Sequence, residues 1–477
     1  MKAIASILTV TVIFAACGAW AQSPGPLAQG QARMLSSTAP GGAQNPLMAS
    51  VPSGAPTPKV LSLTLKDAVE HGLRYNLGVI LGQQSIRAVQ SSRLRTLSGL
   101  LPHLNVMTSE TVQQVNLAAV GFTGFPGVKQ IVGPFPVFDV RVSLSQSLSL
   151  SKLSELRAGD ESLAASEHSY KNTRDLVALA CLQLYMQAVA GRSRVEAGKA
   201  QLNTAKALHE LAISRRSAGF VPGIEVLRAQ VQMQAQQQRL LLAENDLAKQ
   251  KLALAQAIGL PLGQEFELAD QIPFTPLAAI TLEDAVQEAY GNRGDYQSLV
   301  AQVKAAEESR RAAVRQRMPS LDVTANYGDI GQHVSNSHGT FGVAASLRIP
   351  IFQGRETESK ILAADAQLEQ QKAELESLRA RIYYEIRNVF LDLKTSEERV
   401  MVARSNLDLA GEQVVQAQDR FAAGVASNIE VVQAQDALAM ATEDHISSQY
   451  AHNIAKAILA EAMGLAESGY EKFLRGK

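Results

Sequence analysis

Past residue 60 the chain switches between two hydrophobic periods, and it does so twice in the same order. A helical stretch comes first: Thr64 reads as an N-cap, Asp67 falls in the first turn, and apolar residues recur at helical spacing until Gly99. Pro102 ends it by removing a backbone donor and disfavouring helix in the residue before it. The period then becomes two. Leu104 and Val106 share a face, and after a long loop so do Val140, Val142, Leu144, Leu148 and Leu150, opposed by Asp139, Arg141, Ser143, Ser145, Ser147 and Ser149. This predicts a β-hairpin over about 103–150. Helical spacing returns over 151–218 and, after a glycine, over 224–258. The second pass has a helix from Thr281, a stop at Pro319, and alternation at Leu321, Val323, Ala325 and Tyr327, then at Phe341, Val343, Ala345, Leu347 and Ile349. It ends in helices over 355–423 and 429–463.

The sequence itself repeats with the pattern. TLKDAV at 64–69 returns as TLEDAV at 281–286, and RRSAGFVPGIEVLRAQ at 215–230 aligns without a gap on RFAAGVASNIEVVQAQ at 420–435. The offsets are 217 (Thr64 to Thr281) and 205 (Arg215 to Arg420), so repeat one carries twelve extra residues after Pro102. They fall in the loop 116–136, whose Phe122, Phe125 and Phe135 read either as interface anchors or as turn-packing aromatics. The expected organisation is repeat one over 61–270, repeat two over 271–465, and a tail over 466–477.

A helix of nearly seventy residues is a rod of about 100 Å, and the return helices are roughly half that length. Such rods cannot bury themselves in a globule. They either form a coiled-coil stalk or pack side by side around a wet interior, which suits the polar run AQVQMQAQQQ and the segment AADAQLEQQKAE. The four strands have one apolar and one polar face, the pattern of a membrane β-barrel, yet the smallest barrels need about eight strands. Several copies must then share one barrel, and three copies supply about twelve strands. The expected fold class on these patterns is an α+β membrane protein.

The N-terminus takes the chain out of the cytoplasm, to the periplasm, the medium or a membrane β-barrel. Lys2, the apolar run Ala3 to Ala16 and the small-residue pattern Ala19-Trp20-Ala21 read as a signal peptide over 1–21. Phe14-Ala15-Ala16-Cys17 is also a loose lipobox, so Cys17 is either a lipidation site or part of a discarded leader. Residues 22–60, rich in Pro, Gly, Ser and Ala, read as a linker or extended arm. Cys181 is then the remaining thiol, which excludes an intrachain disulfide in the exported chain. No run after the leader is long and apolar enough for a transmembrane helix. The 45 basic and 45 acidic side chains balance, so nothing steers the chain toward nucleic acid. His333 and His338 share a loop without a third ligand, and no nucleophile elbow, phosphate loop or paired-carboxylate motif appears. No enzyme, metal or cofactor is expected.

The doubled order of helix, strand pair, long helix, glycine turn and return helix, with Arg-x-x-x-Gly-x5-Glu at each turn, resembles the TolC-like outer-membrane efflux family. The resemblance runs from about Leu61 to Leu465. It implies the fold of an α+β membrane protein built from two tandem repeats, a homotrimer whose outer-membrane β-barrel, four strands per chain, continues into a long α-helical barrel crossing the periplasm. Its partners would be outer-membrane lipid, a periplasmic adaptor (membrane fusion) protein and an inner-membrane pump of the RND, ABC or MFS class. The expected function is the exit duct of a tripartite efflux or type I export system; the alternative is a periplasmic helical-hairpin adaptor or coiled-coil scaffold. By the same resemblance Arg215, Ala218, Gly219 and Phe220, with Arg420, Ala423, Gly424 and Val425, are adaptor-contact tips. Glu225, Glu430 and Gln433 fall at the periplasmic gate. Other polar gate positions of the family hold Phe421 and Ala426 here, so the usual lock is largely absent.

Overall fold

The computed structural model describes residues 45–121, 127, 129–270, 273–277 and 280–475. The leader, Cys17, the linker up to residue 44, Phe122 and Phe125 lie outside the described residues.

Strand β1 (Leu61–Leu63) leads into helix α1 (Leu65–Tyr75), which opens on a capping box. The Thr64 hydroxyl accepts from the Asp67 amide and the Asp67 carboxylate accepts from the Thr64 amide, both at 3.1 Å. The single helix expected up to Gly99 is instead two, because Asn76 leaves helical geometry (φ −66°, ψ 136°) and α2 (Leu77–Ser98) starts anew. The fully buried Asn76 side chain accepts from the Gly78 amide and donates to the carbonyls of Leu47 and Ala257, so the break is satisfied from three directions. Periodicity cannot report such a break, since the apolar spacing runs through it. The end of the expected linker is docked here too: the Leu77 amide donates to Ala49 O and the Val51 amide to Tyr75 O, each at 2.9 Å.

Strands β2 (His103–Asn116) and β3 (Ile131–Ser149) form the first hairpin. Leu150, expected as the last strand residue, opens helix α3 (Leu150–Ser217), because Ser149 caps it by accepting from the Lys152 amide at 3.2 Å. Helix α4 (Gly223–Ile258) returns along it to β4 (Phe266–Leu268), which pairs in parallel with β1. Helices α5 (Leu282–Asn292) and α6 (Gly294–Arg315) break at Arg293, and β5 (Ser320–Gly331) and β6 (His338–Arg348) form a second hairpin. Helices α7 (Glu356–Ala422) and α8 (Asn428–Ala462) follow. The expected tail contains α9 (Tyr470–Arg475), whose Tyr470 and Leu474 enter one core and Phe473 another.

The hairpins join as one antiparallel sheet, β2-β3-β5-β6. Its register puts Val106, Val142, Tyr327 and Phe341 side by side, with Leu104, Leu144, Ala325 and Val343 in the next row. The other face carries Asn105, Ser143 and Asn326. The apolar face is the bare one: Phe341 is 80% and Val343 74% exposed, while on the polar face the ion pair Arg141–Asp139 (3.0 Å) is half-buried. A soluble sheet does the reverse.

The two largest cores lie midway along the helices. The first centres on Leu182, Tyr185 and Met186 of α3 against α1, β1 and β4, and the second on Ile382, Ile386, Leu459 and Met463 of α7 and α8. Laterally, α3 packs between α2 and α6 near the sheet and between α4 and α8 toward the far ends, while α7 packs on α6 and α8. The outer flanks of α2, α4 and α7 carry exposed Leu81, Leu227, Leu252, Leu391 and Leu409. Among the described residues no helix is long and apolar enough to cross a membrane.

Candidate functional site: two glycine-turn tips

Both reversals far from the sheet are built the same way, and the sequence dictates how. A helix can close its last carbonyls on itself only if the residue after the cap turns left-handed, which glycine does without steric cost. Gly219 (φ 80°) and Gly424 (φ 77°) do this. At the first tip the Phe220 amide donates to Arg215 O (2.9 Å) and the Gly219 amide to Arg216 O (3.0 Å). At the second the Val425 amide donates to Arg420 O (3.0 Å) and the Gly424 amide to Phe421 O (3.1 Å). These are two Schellman closures.

The closures leave apolar side chains in solvent. Phe220 is 78% and Val425 70% exposed, beside exposed Ala218 and Ala423. No atom lies within 4 Å of a Cβ built on either glycine. The tips are therefore open, small-residue surfaces with one large apolar group each.

Behind them the two arginines diverge. Arg215 reaches to the other hairpin, donating to Phe421 O (2.5 Å) and Ala422 O (2.6 Å), with its guanidinium 4.9 Å from the Phe421 ring centre. Arg420 stays at home, its Nε 3.5 Å from Glu430. Phe421, read from sequence as a missing gate residue, is instead a core residue packed with Val414, Ala417, Val431 and Ala434, with Leu208 of α3 alongside. No local sequence pattern announces that role; the signal is only that an aromatic sits one turn before a glycine cap.

The three gate candidates are not equivalent. Glu225 is buried, bonded at 2.7 Å to Arg228, and its other oxygen has no partner. Glu430 and Gln433 are exposed. Further along, Asp436 of α8 accepts from Gln232 (3.2 Å) and Arg239 (3.3 Å) of α4, and Arg194 of α3 meets Glu443 of α8 at 2.8 Å. Sequence reasoning missed these links, because their spacing only becomes contact once the hairpins lie side by side.

Titratable groups with displaced pKa values lie elsewhere, among them Glu461 and Lys456 of α8. Arg293 binds Asp295 through two bonds (2.7 and 3.0 Å) and Glu385 at 2.9 Å. Nearby Glu461 is pushed up to about 7, chiefly by burial. Lys456, wholly buried, is pulled down to about 8 by burial and donates to Thr275 O and Oγ1 (2.5 and 2.8 Å). Lys456 thereby fastens α8 to the segment before α5, and Arg293 fastens the break between α5 and α6 to α7. Among the described residues no three metal-binding side chains cluster. His338 pairs with Ile330 in the sheet and the His333 amide donates to Asn336.

The model of the family described as "Outer membrane efflux protein" matches residues 83–260 and 285–465. The pyoverdine export outer membrane protein OpmQ of Pseudomonas aeruginosa is 23% identical over 393 residues, covering 80% of each chain. The Campylobacter jejuni CmeC outer membrane channel superposes with a TM-score of 0.72 at 17% identity, over 84% of this chain and 86% of that one. The MtrE outer membrane channel of Neisseria gonorrhoeae, solved in its open state, gives 0.70 at 16% identity over 87% and 96%. At such identities the structures speak for the fold, while the family match covers most of the chain. The chain belongs to the outer membrane efflux protein family, whose members are outer-membrane channels of efflux and secretion systems, and the outer membrane is where it resides.

Proposed function

We propose that three copies of this chain close into one duct, a shared β-barrel continuing into a helical tunnel, and that its six tips dock a periplasmic adaptor fed by an inner-membrane pump. One observation carries the reading: the sheet has a bare apolar face and two unpaired edge strands, β2 and β6. A four-stranded sheet with open edges has no stable place in a bilayer, where every backbone donor needs a partner. Pairing β6 of one copy with β2 of the next satisfies both edges and turns the apolar face to lipid. The exposed leucines on the flanks of α2, α4 and α7 then meet across the same seams.

Two matching breaks support the internal duplication: Asn76 and Arg293 are separated by the offset of 217 that relates Thr64 to Thr281. The scaffold alternative has no use for an apolar-outward sheet. The tips support adaptor docking because small exposed residues around a glycine turn admit another helical tip, with Phe220 and Val425 as anchors. The experiment is complementation: a strain lacking the chain should regain efflux or secretion with the wild type but not with a variant whose tips are replaced by unrelated turn sequences. Full activity in the tip-swapped variant would reject the docking reading.

A further inference from the structure

Where β6 gives way to α7, the loop 349–355 turns outward with nothing over its apolar side chains: Ile351 is 95% and Phe352 83% exposed. Ile349 lies two residues beyond Leu347 and continues the row of Phe341, Val343 and Leu347 on the bare face of the sheet. Arg317, just before β5, and Arg355, just before α7, line the same depression of about 320 Å³ as Ile351 and Phe352. Arg355 holds a left-handed backbone (φ 68°) that glycine would adopt more easily, and its side chain is largely exposed. One carboxylate opposes the two guanidinium groups: Glu358, 3.8 Å from Arg355 Nε, in an exposed pair too weak to neutralise the site. Two forked cations beside two unburied hydrocarbon side chains match a phosphate joined to acyl chains.

We propose that this depression binds the phosphate of an anionic phospholipid headgroup at the periplasmic edge of the outer-membrane bilayer, with Arg317 and Arg355 on the phosphate and Ile351 and Phe352 among the acyl chains. The proposal rests on the reading that the apolar sheet face meets lipid. Continuity with that face favours lipid over a second copy of the chain, and a cationic pair beside aromatic and aliphatic residues is the composition of a membrane interface. The site would fix how deep the barrel sits.

The one tryptophan of the sequence, Trp20, lies in the stretch read as a leader, so Phe352→Trp gives a local probe in the processed chain. The full chain is reconstituted in vesicles of phosphatidylethanolamine with phosphatidylglycerol, with bromine on the acyl chains of one lipid at a time, near the headgroup or near the methyl end. Stronger quenching by shallow than by deep bromines is expected. Brominated phosphatidylglycerol should out-quench the zwitterionic lipid by a preference of about tenfold, ~1.4 kcal/mol, the scale for two arginines against one carboxylate. Arg317→Gln with Arg355→Gln should remove the preference and keep the depth profile. An unquenched tryptophan in a chain that floats with the vesicles would mean that another copy covers the site, and would overturn the proposal. Quenching without headgroup preference would overturn the phosphate assignment. A chain that does not float with the vesicles would instead sink the lipid-facing reading beneath it.

Discussion

Arg215, at the end of one long helix, caps another: its guanidinium donates to the carbonyls of Phe421 and Ala422 in the last turn of α7 and lies over the Phe421 ring. Phe421 O also accepts from the Gly424 amide at 3.1 Å, so the guanidinium adds to the closure of the turn, and a cation suits that end of the helix dipole. The two hairpins of a chain are thus fastened at their tips.

Arg215→Ala should therefore loosen the second tip more than the first. Two bonds from a charged donor are worth about 1.5–3 kcal/mol together with the ring contact, so exchange of the Ala423, Gly424 and Val425 amides should rise by roughly tenfold or more. Arg215→Lys should recover only part, because an ammonium cannot fork to two carbonyls. Unchanged exchange in Arg215→Ala would show that the hairpins are held together elsewhere.

At the tips, Gly219→Val with Gly424→Val tests the closures. The surrounding space is open, so the cost is backbone strain, about 1–2 kcal/mol per site. The variant should still reach the outer membrane and resist dissociation, yet fail to complement a strain lacking the chain. Full complementation would remove the tips from the docking reading.

How much of this was legible follows from what each signal encodes. Glycine turns, proline stops and two-residue alternation are local, so the hairpins, read over about 103–150 and 320–350, and both glycine turns could be drawn from single stretches. Asn76 and Arg293 break helices through contacts with chain far away, Asn76 to Ala257 O and Arg293 to Glu385, which no window contains. The same reason hid Arg215: arginine four residues before a helix-ending glycine reads as an ordinary C-terminal charge, and its carbonyl partners lie 206 and 207 positions on. Of the gate residues, Glu225 and Glu430 look alike in sequence, yet only Glu225 is buried.

That difference sets an electrical prediction. If three Glu430 side chains ring the closed mouth, Arg420 at 3.5 Å offsets part of their charge, and the duct should show a modest cation preference. Glu430→Gln should weaken that preference and any block by divalent cations, whereas Arg420→Gln should strengthen both. Reversal potentials in planar bilayers measure this; identical preference in wild type and both variants would move the ring elsewhere.

Glu461 makes a prediction about pH. Burial, with Glu385, Asp295 and Asp175 adding to it against the pull of Arg293, raises its pKa from 4.5 to about 7. The native state keeps a proton that the unfolded chain has released, so stability falls as pH rises from about 4.5 to 7 and the full penalty stands above that window. Glu461→Gln should raise stability above pH 7 by on the order of 2 kcal/mol and flatten this window. Thermal unfolding at several pH values checks it, and a variant less stable than wild type at neutral pH would contradict it.

If three copies share the barrel, one chain is only a third of a duct. Two differently tagged forms, co-expressed, extracted from the outer membrane and weighed as native assemblies, should then give trimers carrying every mixture of the two tags, which separate into single chains on heating. A single-chain species in the extract, or a subunit number other than three, would refute the shared barrel.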